Sequence, residues 1–400
     1  MPKKFTTRRG NNEGTIFQRK DGKWMGQITV GYSENGKIKR KSYFGHTRAE
    51  VALKMTTDLS TVMKNGYQTV SNEKFETLFM EWLLIFKRNT VLPRTLERIL
   101  NNVKCHIVPE IGQYTLSEIS PQVVQKLINK MYLQEMALDT IKKSKQIISQ
   151  FFEYAIDNEM VQKNPTTKLR IQRNEKHIKD AQKYKAIPVD VRERFMQELE
   201  KNMFLKTLCT TMLFCGLRIV EALALTWRDI DIENKIIKIN RATTVDVKID
   251  KMGKSISRKT VIGTTKTACS VRIVPMPEKL LPILENWKEE RWVMGKKTGC
   301  DLISLDSLVF GDKEGNVRTY YGTSTIFQKF IKSHGLSGYG LHLHGLRQTF
   351  SNILFENNVN PKVIQMLLGH KDVKTTIMNY NSVDQTYFAK TADIINKQFK

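Results

Sequence analysis

"LHLHGLRQTFSNILFENN", from Leu341 to Asn358, is the stretch from which the rest of this chain can be read. Leu346, Phe350, Ile353 and Leu354 recur at helical spacing and mark a core-facing side. His344 and Arg347, three apart, share a neighbouring face and can point at one ligand together. His342 and His344 also match an HxH metal pair, but no further ligand at conventional spacing completes such a set.

Three other stretches place polar residues beside apolar runs. In "LFCGLRIVEALALTWRDIDI", Leu213 to Ile232, the spacing of Val220, Leu223, Ala224 and Trp227 predicts a buried helical stripe with Arg218 at its start. Two readings of Arg218 stay open: an ion pair with Glu221, or a ligand contact. In "LLGHKDVKTTIMNY", Leu367 to Tyr380, a helix that opens at Asn360-Pro361 and buries Val363, Ile364, Leu367 and Leu368 ends at Gly369. His370 then lies at the rim of the core, and Tyr380 follows a short segment that Asp372 can cap. In "TTKTACSVRIVPMP", Thr264 to Pro277, Arg272 to Pro277 reads as a strand and Lys266 precedes it as a hairpin residue. Singly, each of these is an ordinary packing or surface residue.

Together they make a kit for attacking a phosphodiester. Phosphoryl oxygens gain negative charge on the way to the transition state, and guanidinium forks match them bidentately. In a dry cleft such donors favour the transition state over the ground state. A tyrosine is a poor nucleophile at its normal pKa of about 10 and needs positive charge and a histidine base. A departing sugar oxygen needs a proton, which a lysine can supply.

Charge narrows the ligand. The chain of 400 residues carries 65 Lys and Arg against 40 Asp and Glu, a formal +25 that suits a polyanion. Nucleic acid leads, ahead of an anionic membrane surface or charge kept for solubility alone. No apolar run approaches the roughly 20 residues that span a bilayer. "MPKKFTTRRGNN" has no apolar segment behind its basic residues and does not read as a secretory signal. Cys105, Cys209, Cys215, Cys269 and Cys300 are odd in number and lack CxxC spacing. That argues against a disulfide framework or zinc ribbon and for a reducing cytoplasm.

The length favours two or three domains. Residues 1–66 read as a small sheet and a helix: Asp21-Gly22 and Asn35-Gly36 signal turns, and Trp24, Ile28, Val30 and Tyr32 alternate. A third strand carries Lys37, Lys39, Arg40 and Lys41, and Thr47 caps the helix. Those lysines could merely blunt an edge strand. The basic N-terminal arm beside them favours a sheet that lays its basic face on DNA. Residues 72–169 read as all-α. Ser120-Pro121 opens one helix with Val124, Leu127, Ile128 and Met131 as its stripe; the next carries Ile148, Phe151, Phe152 and Ala155 and ends at Asn164-Pro165. Residues 170–186 are a polar, basic linker, and residues 187–400 a mixed, mainly α region with a small antiparallel sheet.

"GLRIVEALAL", "KTACSVRIVP", "HGLRQTF", "LLGH" and "TTIMNY", in that order, resemble the tyrosine recombinases, specifically the long integrases of phages and integrative conjugative elements. "FFEYAIDNEMVQKNP" is similar to that family's core-binding domain, and residues 1–66 to its arm-binding domains, so the likeness extends over nearly the whole chain. The resemblance implies an arm-type DNA-binding domain at 1–66, with Lys37, Lys39, Arg40 and Lys41 as DNA contacts. It implies a helical, SAM-like core-binding domain at 72–169, and a catalytic domain with a C-terminal tail at 187–400. Tyr380 would form a 3′-phosphotyrosyl link, Arg218 and Arg347 would hold phosphate oxygens, Lys266 would protonate the leaving 5′-oxygen, His344 would act as base, and His370 would hydrogen-bond the phosphate. The resemblance further implies a site-specific recombinase that integrates and excises a mobile element without cofactor, metal or ATP. Its partners would be double-stranded DNA at core and arm sites, three further copies in a homotetramer on DNA, and an excisionase or host DNA-bending protein; no membrane is involved. Gln348 and Thr265 depart from the His and Pro that many relatives carry. A DNA-binding regulator on the same scaffold would have no reason to keep all six polar residues, and a type IB topoisomerase would not need the arm domain.

Overall fold

A computed structural model of the chain describes residues 14–32, 38–65, 73–171, 186–264 and 271–370. The chain divides into two compact units, Met1–Arg173 with Lys251–Gly253, and Asn174–Asp250 with Lys254–Lys400.

The first unit opens with three antiparallel strands in sequence order, β1 (Thr15–Gln18), β2 (Trp24–Tyr32) and β3 (Ile38–Gly45). Gly22, at φ +80°, makes the first turn and donates to the Arg19 carbonyl. Helix α1 (Arg48–Asn65) follows, and the Thr47 hydroxyl accepts the Glu50 N–H at its start, the expected cap. Ile28 and Tyr43 pack with Val51 and Met55 of α1. Gly26 lets the helix close in, since a Cβ there would lie 2.2 Å from the Met55 sulfur.

Strand alternation sorts the basic residues of β3. Arg40, Ser42 and Phe44 belong to the open face; Lys41 shares the helix-side face with buried Tyr43, and its Nζ lies 5.5 Å from that ring's centroid. Arg40 and Lys41 therefore lie on opposite faces of the sheet. Lys37, the Lys39 side chain and the Asn35-Gly36 turn lie outside the described residues.

Helices α2 (Phe75–Ile85), α3 (Pro93–Asn102), α4 (Val108–Ile111), α5 (Pro121–Leu133) and α6 (Leu138–Asp157) complete this unit. Phe75, Phe79 and Trp82 of α2 meet Phe151 and Phe152 of α6, with the Phe79 and Phe151 centroids 5.0 Å apart. Edge-to-face contact of this kind adds about 0.5–1.5 kcal/mol per pair beyond burial. The stripes expected on α5 and α6 are buried, and Ser120 caps α5. One boundary differs from the sequence reading: α6 stops at Asp157, not at Asn164-Pro165, because Glu159 adopts φ +57° and turns the chain first.

The second unit has the helix Met203–Cys215 in its core. In chain order it contains α7 (Val189–Leu199), α8 (Met203–Cys215), α9 (Ile219–Ala222), β4 (Ile230–Asp231), β5 (Ile236–Ile239), β6 (Arg241–Ile249), β7 (Ser255–Thr264), β8 (Arg272–Pro275), α10 (Leu281–Thr298), α11 (Tyr320–Ser333), α12 (Leu343–Glu356) and α13 (Pro361–Leu368). Strands β4, β5 and β8 form one antiparallel sheet, and β6 with β7 a two-stranded ribbon. Thr207, Thr210 and Thr211 can be buried within α8 because each hydroxyl donates to the carbonyl four residues back. The expected mainly α fold with small antiparallel sheets is what the chain adopts. The helix after Arg218 is a single turn, shorter than its stripe predicts: Asp229 accepts the Thr226 N–H and hydroxyl and starts a separate 3₁₀ turn. Val363 of α13 is exposed rather than buried. No helix among the described residues is long and apolar enough to cross a membrane.

Candidate active site

α8 ends at Gly216, whose φ of +64° reverses the chain; a Cβ there would lie 2.5 Å from the Phe350 ring. Two residues on, Arg218 occupies the N-cap position of α9 in extended conformation. Glu221 reaches back to accept the Arg218 backbone N–H at 2.8 Å and its Nη1 at 2.6 Å. The ion pair foreseen as one reading of Arg218 therefore exists. It does not use up the side chain, which is 31% exposed and also donates Nη2 to the Gly369 carbonyl at 3.3 Å.

Arg347, on α12, donates Nη1 to the Gly216 carbonyl at 2.9 Å and Nη2 to the Leu368 carbonyl. It stands 3.7 Å from Glu221 and is nearly sealed from solvent. Burial, then the like charge of Arg218, lowers its pKa, while Glu221 opposes them. His344, one turn earlier, keeps an exposed edge although the surrounding protein desolvates it; that desolvation, then Arg347 and Arg218, lowers its pKa. His370 follows the end of α13, where its N–H donates to the Gln365 carbonyl and its own carbonyl accepts the Gln365 amide. Burial first, then Arg347, Arg218, Arg272 and His344, brings it down to about 4. Both imidazoles are thus neutral at pH 7 and able to accept a proton.

A third guanidinium completes the group. Arg272, on β8, donates Nη1 and Nη2 to the two Glu221 oxygens at 3.0 and 2.8 Å, and Nε to the Leu367 carbonyl at 2.6 Å. The carbonyls of Leu367, Leu368 and Gly369, at the negative end of α13, thus each accept from a different arginine. Burial would raise the Glu221 carboxyl, but the Arg272 hydrogen bonds and the charges of Arg272, Arg347 and Arg218 outweigh it and hold it at about 2. Three guanidiniums share this carboxylate, so the site retains positive charge for an anion, with Arg218 and His344 on its accessible side.

The structure therefore gathers Arg218, His344, Arg347 and His370, four of the six residues singled out from sequence. Lys266 and Tyr380 lie outside the described residues. Among the described residues no group of three or more His, Cys, Asp or Glu is placed to hold a metal. Arg272 was read only as a strand residue. Its signal was there: it alternates in phase with buried Val274 and Met276, while Ile273 is exposed. A charge at an inward strand position requires a buried partner.

Residues 185–386 match the model of the phage integrase family, and residues 75–172 that of the phage integrase central domain. A tyrosine recombinase XerC-like protein of Caldanaerobacter subterraneus subsp. tengcongensis is 27% identical over 389 residues, covering 93% of this chain and 95% of its own. A structure of the Tn1549 transposon integrase in complex with transposon right end DNA aligns at TM-score 0.63 and 18% identity, over 81% of this chain and 99% of that one. A lambda integrase tetramer bound to a Holliday junction aligns at TM-score 0.55 and 16% identity, over 93% of this chain and 96% of that one. At those identities the two structures speak for the fold.

Proposed function

Because this chain belongs to the phage integrase family and is a tyrosine recombinase, which cuts and rejoins DNA through a phosphotyrosine intermediate, we propose that it integrates and excises a mobile element from the site around Glu221. Arg218 and Arg347 hold the non-bridging oxygens of the scissile phosphate. Neutral His344 takes the phenolic proton of Tyr380 as its Oη attacks phosphorus, and His370 hydrogen-bonds the phosphate. The 5′-oxygen leaves with a proton from Lys266. One phosphodiester bond breaks as one phosphotyrosyl bond forms, so the reverse attack by a new 5′-hydroxyl needs no external energy source.

The observation that carries this reading is the convergence of Arg218, His344, Arg347 and His370 on one anion-suited spot, with Arg218 bonded to Gly369 151 positions away. A protein that only bound DNA would gain nothing from two desolvated, neutral histidines beside buried guanidiniums. In the same reading, residues 1–66 bind arm sites, 72–169 the core site, 170–186 link them to the catalytic residues 187–400, and four copies assemble on double-stranded DNA in the cytoplasm. An excisionase or a DNA-bending protein biases direction.

The test uses labelled DNA carrying the joined ends of the element that encodes the protein. Wild-type protein yields a protein–DNA adduct that survives denaturation without added metal or ATP, and Tyr380→Phe yields none. DNA binding by both, with no adduct from either even on nicked substrates, would overturn the assignment in favour of a regulator.

A further inference from the structure

Arg272 stands out because its charge is already matched. Arg218 is partly exposed and Arg347 is held mainly by carbonyls, whereas Arg272 sets its fork on both oxygens of Glu221 and is only 5% exposed. A group in that position cannot greet an incoming phosphate without first breaking a buried bidentate pair. Its three nitrogens instead reach two things that bear on the reaction. Glu221 grips the backbone and side chain of Arg218, and the Leu367 carbonyl belongs to the helix end from which His370 emerges.

We propose that Arg272 is a positioning residue for strand cleavage, setting the Arg218 guanidinium through Glu221 and the His370 end of α13 through the Leu367 carbonyl. This rests on the recombinase reading of the site. The planar fork is what does it. Two Nη donors in one plane lock the carboxylate, and Nε at the side of the same plane fixes the carbonyl, so strand β8, the Arg218 turn and α13 share one rigid joint. An ammonium at this place keeps the charge but cannot hold both partners in one plane. The groups facing Glu221 from the packed elements are Arg218, Arg272 and Arg347, with His344 and His370 beyond them.

The test compares full-length wild type with Arg272→Lys and with Arg272→Gln, both of which leave the Glu221 carboxylate neutralised by Arg218 and Arg347. Folding is followed by thermal unfolding, DNA affinity by titration, and cleavage by single-turnover adduct formation on the same labelled DNA. The expected result is that both variants fold and bind DNA as the wild type does, while adduct forms about 100-fold more slowly, the size of effect that small misplacements of catalytic groups produce. Wild-type cleavage by either variant would overturn the proposal. Failure of both to fold would also overturn it, since Arg272 would then be part of the scaffold and nothing more. If wild type itself forms no adduct, the recombinase reading falls and takes this inference with it.

Discussion

Glu221 and Arg272, 51 positions apart in sequence, meet as a bidentate pair with side chains 2% and 5% exposed. Taking two charges out of water is unfavourable, and only good geometry with further hydrogen bonds offsets it. Here the same carboxylate also receives the Arg218 N–H and Nη1. Glu221 therefore ties strand β8 to the Arg218 turn through one side chain.

Replacing Glu221 with Gln leaves three guanidiniums without their shared anion. Breaking a buried pair in this way costs about 3–5 kcal/mol, to be read from chemical denaturation at pH 7. The pH dependence has a definite sign. The carboxyl is held at about 2 in the folded protein against 4.5 ordinarily, so its contribution is complete above that ordinary value and is lost as pH falls toward 2. The stability gap between wild type and Glu221→Gln should narrow between pH 7 and pH 3. A constant gap would contradict the assignment.

Neutral histidines set the acid limit of the reaction. Burial, then Arg347 and Arg218, lowers the His344 pKa from its ordinary 6.5, and that of His370 is brought down to about 4, so the base takes up a proton at lower pH than a free imidazole. At sub-saturating DNA, where the profile reports the free enzyme, the acid-side midpoint of adduct formation should lie below 6.5. A midpoint at or above 6.5 would show that the imidazole is not desolvated as described.

Gly216 links the fold to the site. Its φ is +64°, a Cβ would meet the Phe350 ring at 2.5 Å, and its carbonyl accepts from Arg347. Gly216→Ala combines a left-handed penalty of about 1–2 kcal/mol with overpacking of about 1–3 kcal/mol. Unfolding measurements should show a loss of that combined order, and cleavage should fall further than stability alone explains. Wild-type stability would mean the turn relaxes without strain.

On the N-terminal sheet, Arg40 lies on the open face and Lys41 on the helix side. If the open face meets DNA, Arg40→Glu weakens arm-site binding and lowers its salt dependence more than Lys41→Glu does. Equal effects would indicate that the sheet does not approach DNA by that face.

Much of this architecture was legible in the residues themselves. Apolar spacing and local caps located α5, α6, α12 and α13, because helix burial and capping are decided within a few residues: Ser120 caps Val123, and Asn360 caps Lys362. Arg218, His344, Arg347 and His370 were legible as polar residues set against apolar stripes. Where a nearby residue competed for backbone groups, the stripe misled: Asp229 claimed Thr226 and left α9 a single turn.

Sequence by itself determined that α1, α5, α6, α12 and α13 are helical, which stripes of α5 and α6 are apolar, and that the charge suits a polyanion. Only the tertiary structure decided that Arg272 belongs with Arg218 and Arg347, that Glu221 is their common anion, and that three arginines each take one carbonyl at the end of α13. The reason is physical. Periodicity and caps report interactions a few positions long, whereas a buried charge is satisfied by whatever the fold brings within 3 Å, here a strand, a helix and two turns from distant parts of the chain.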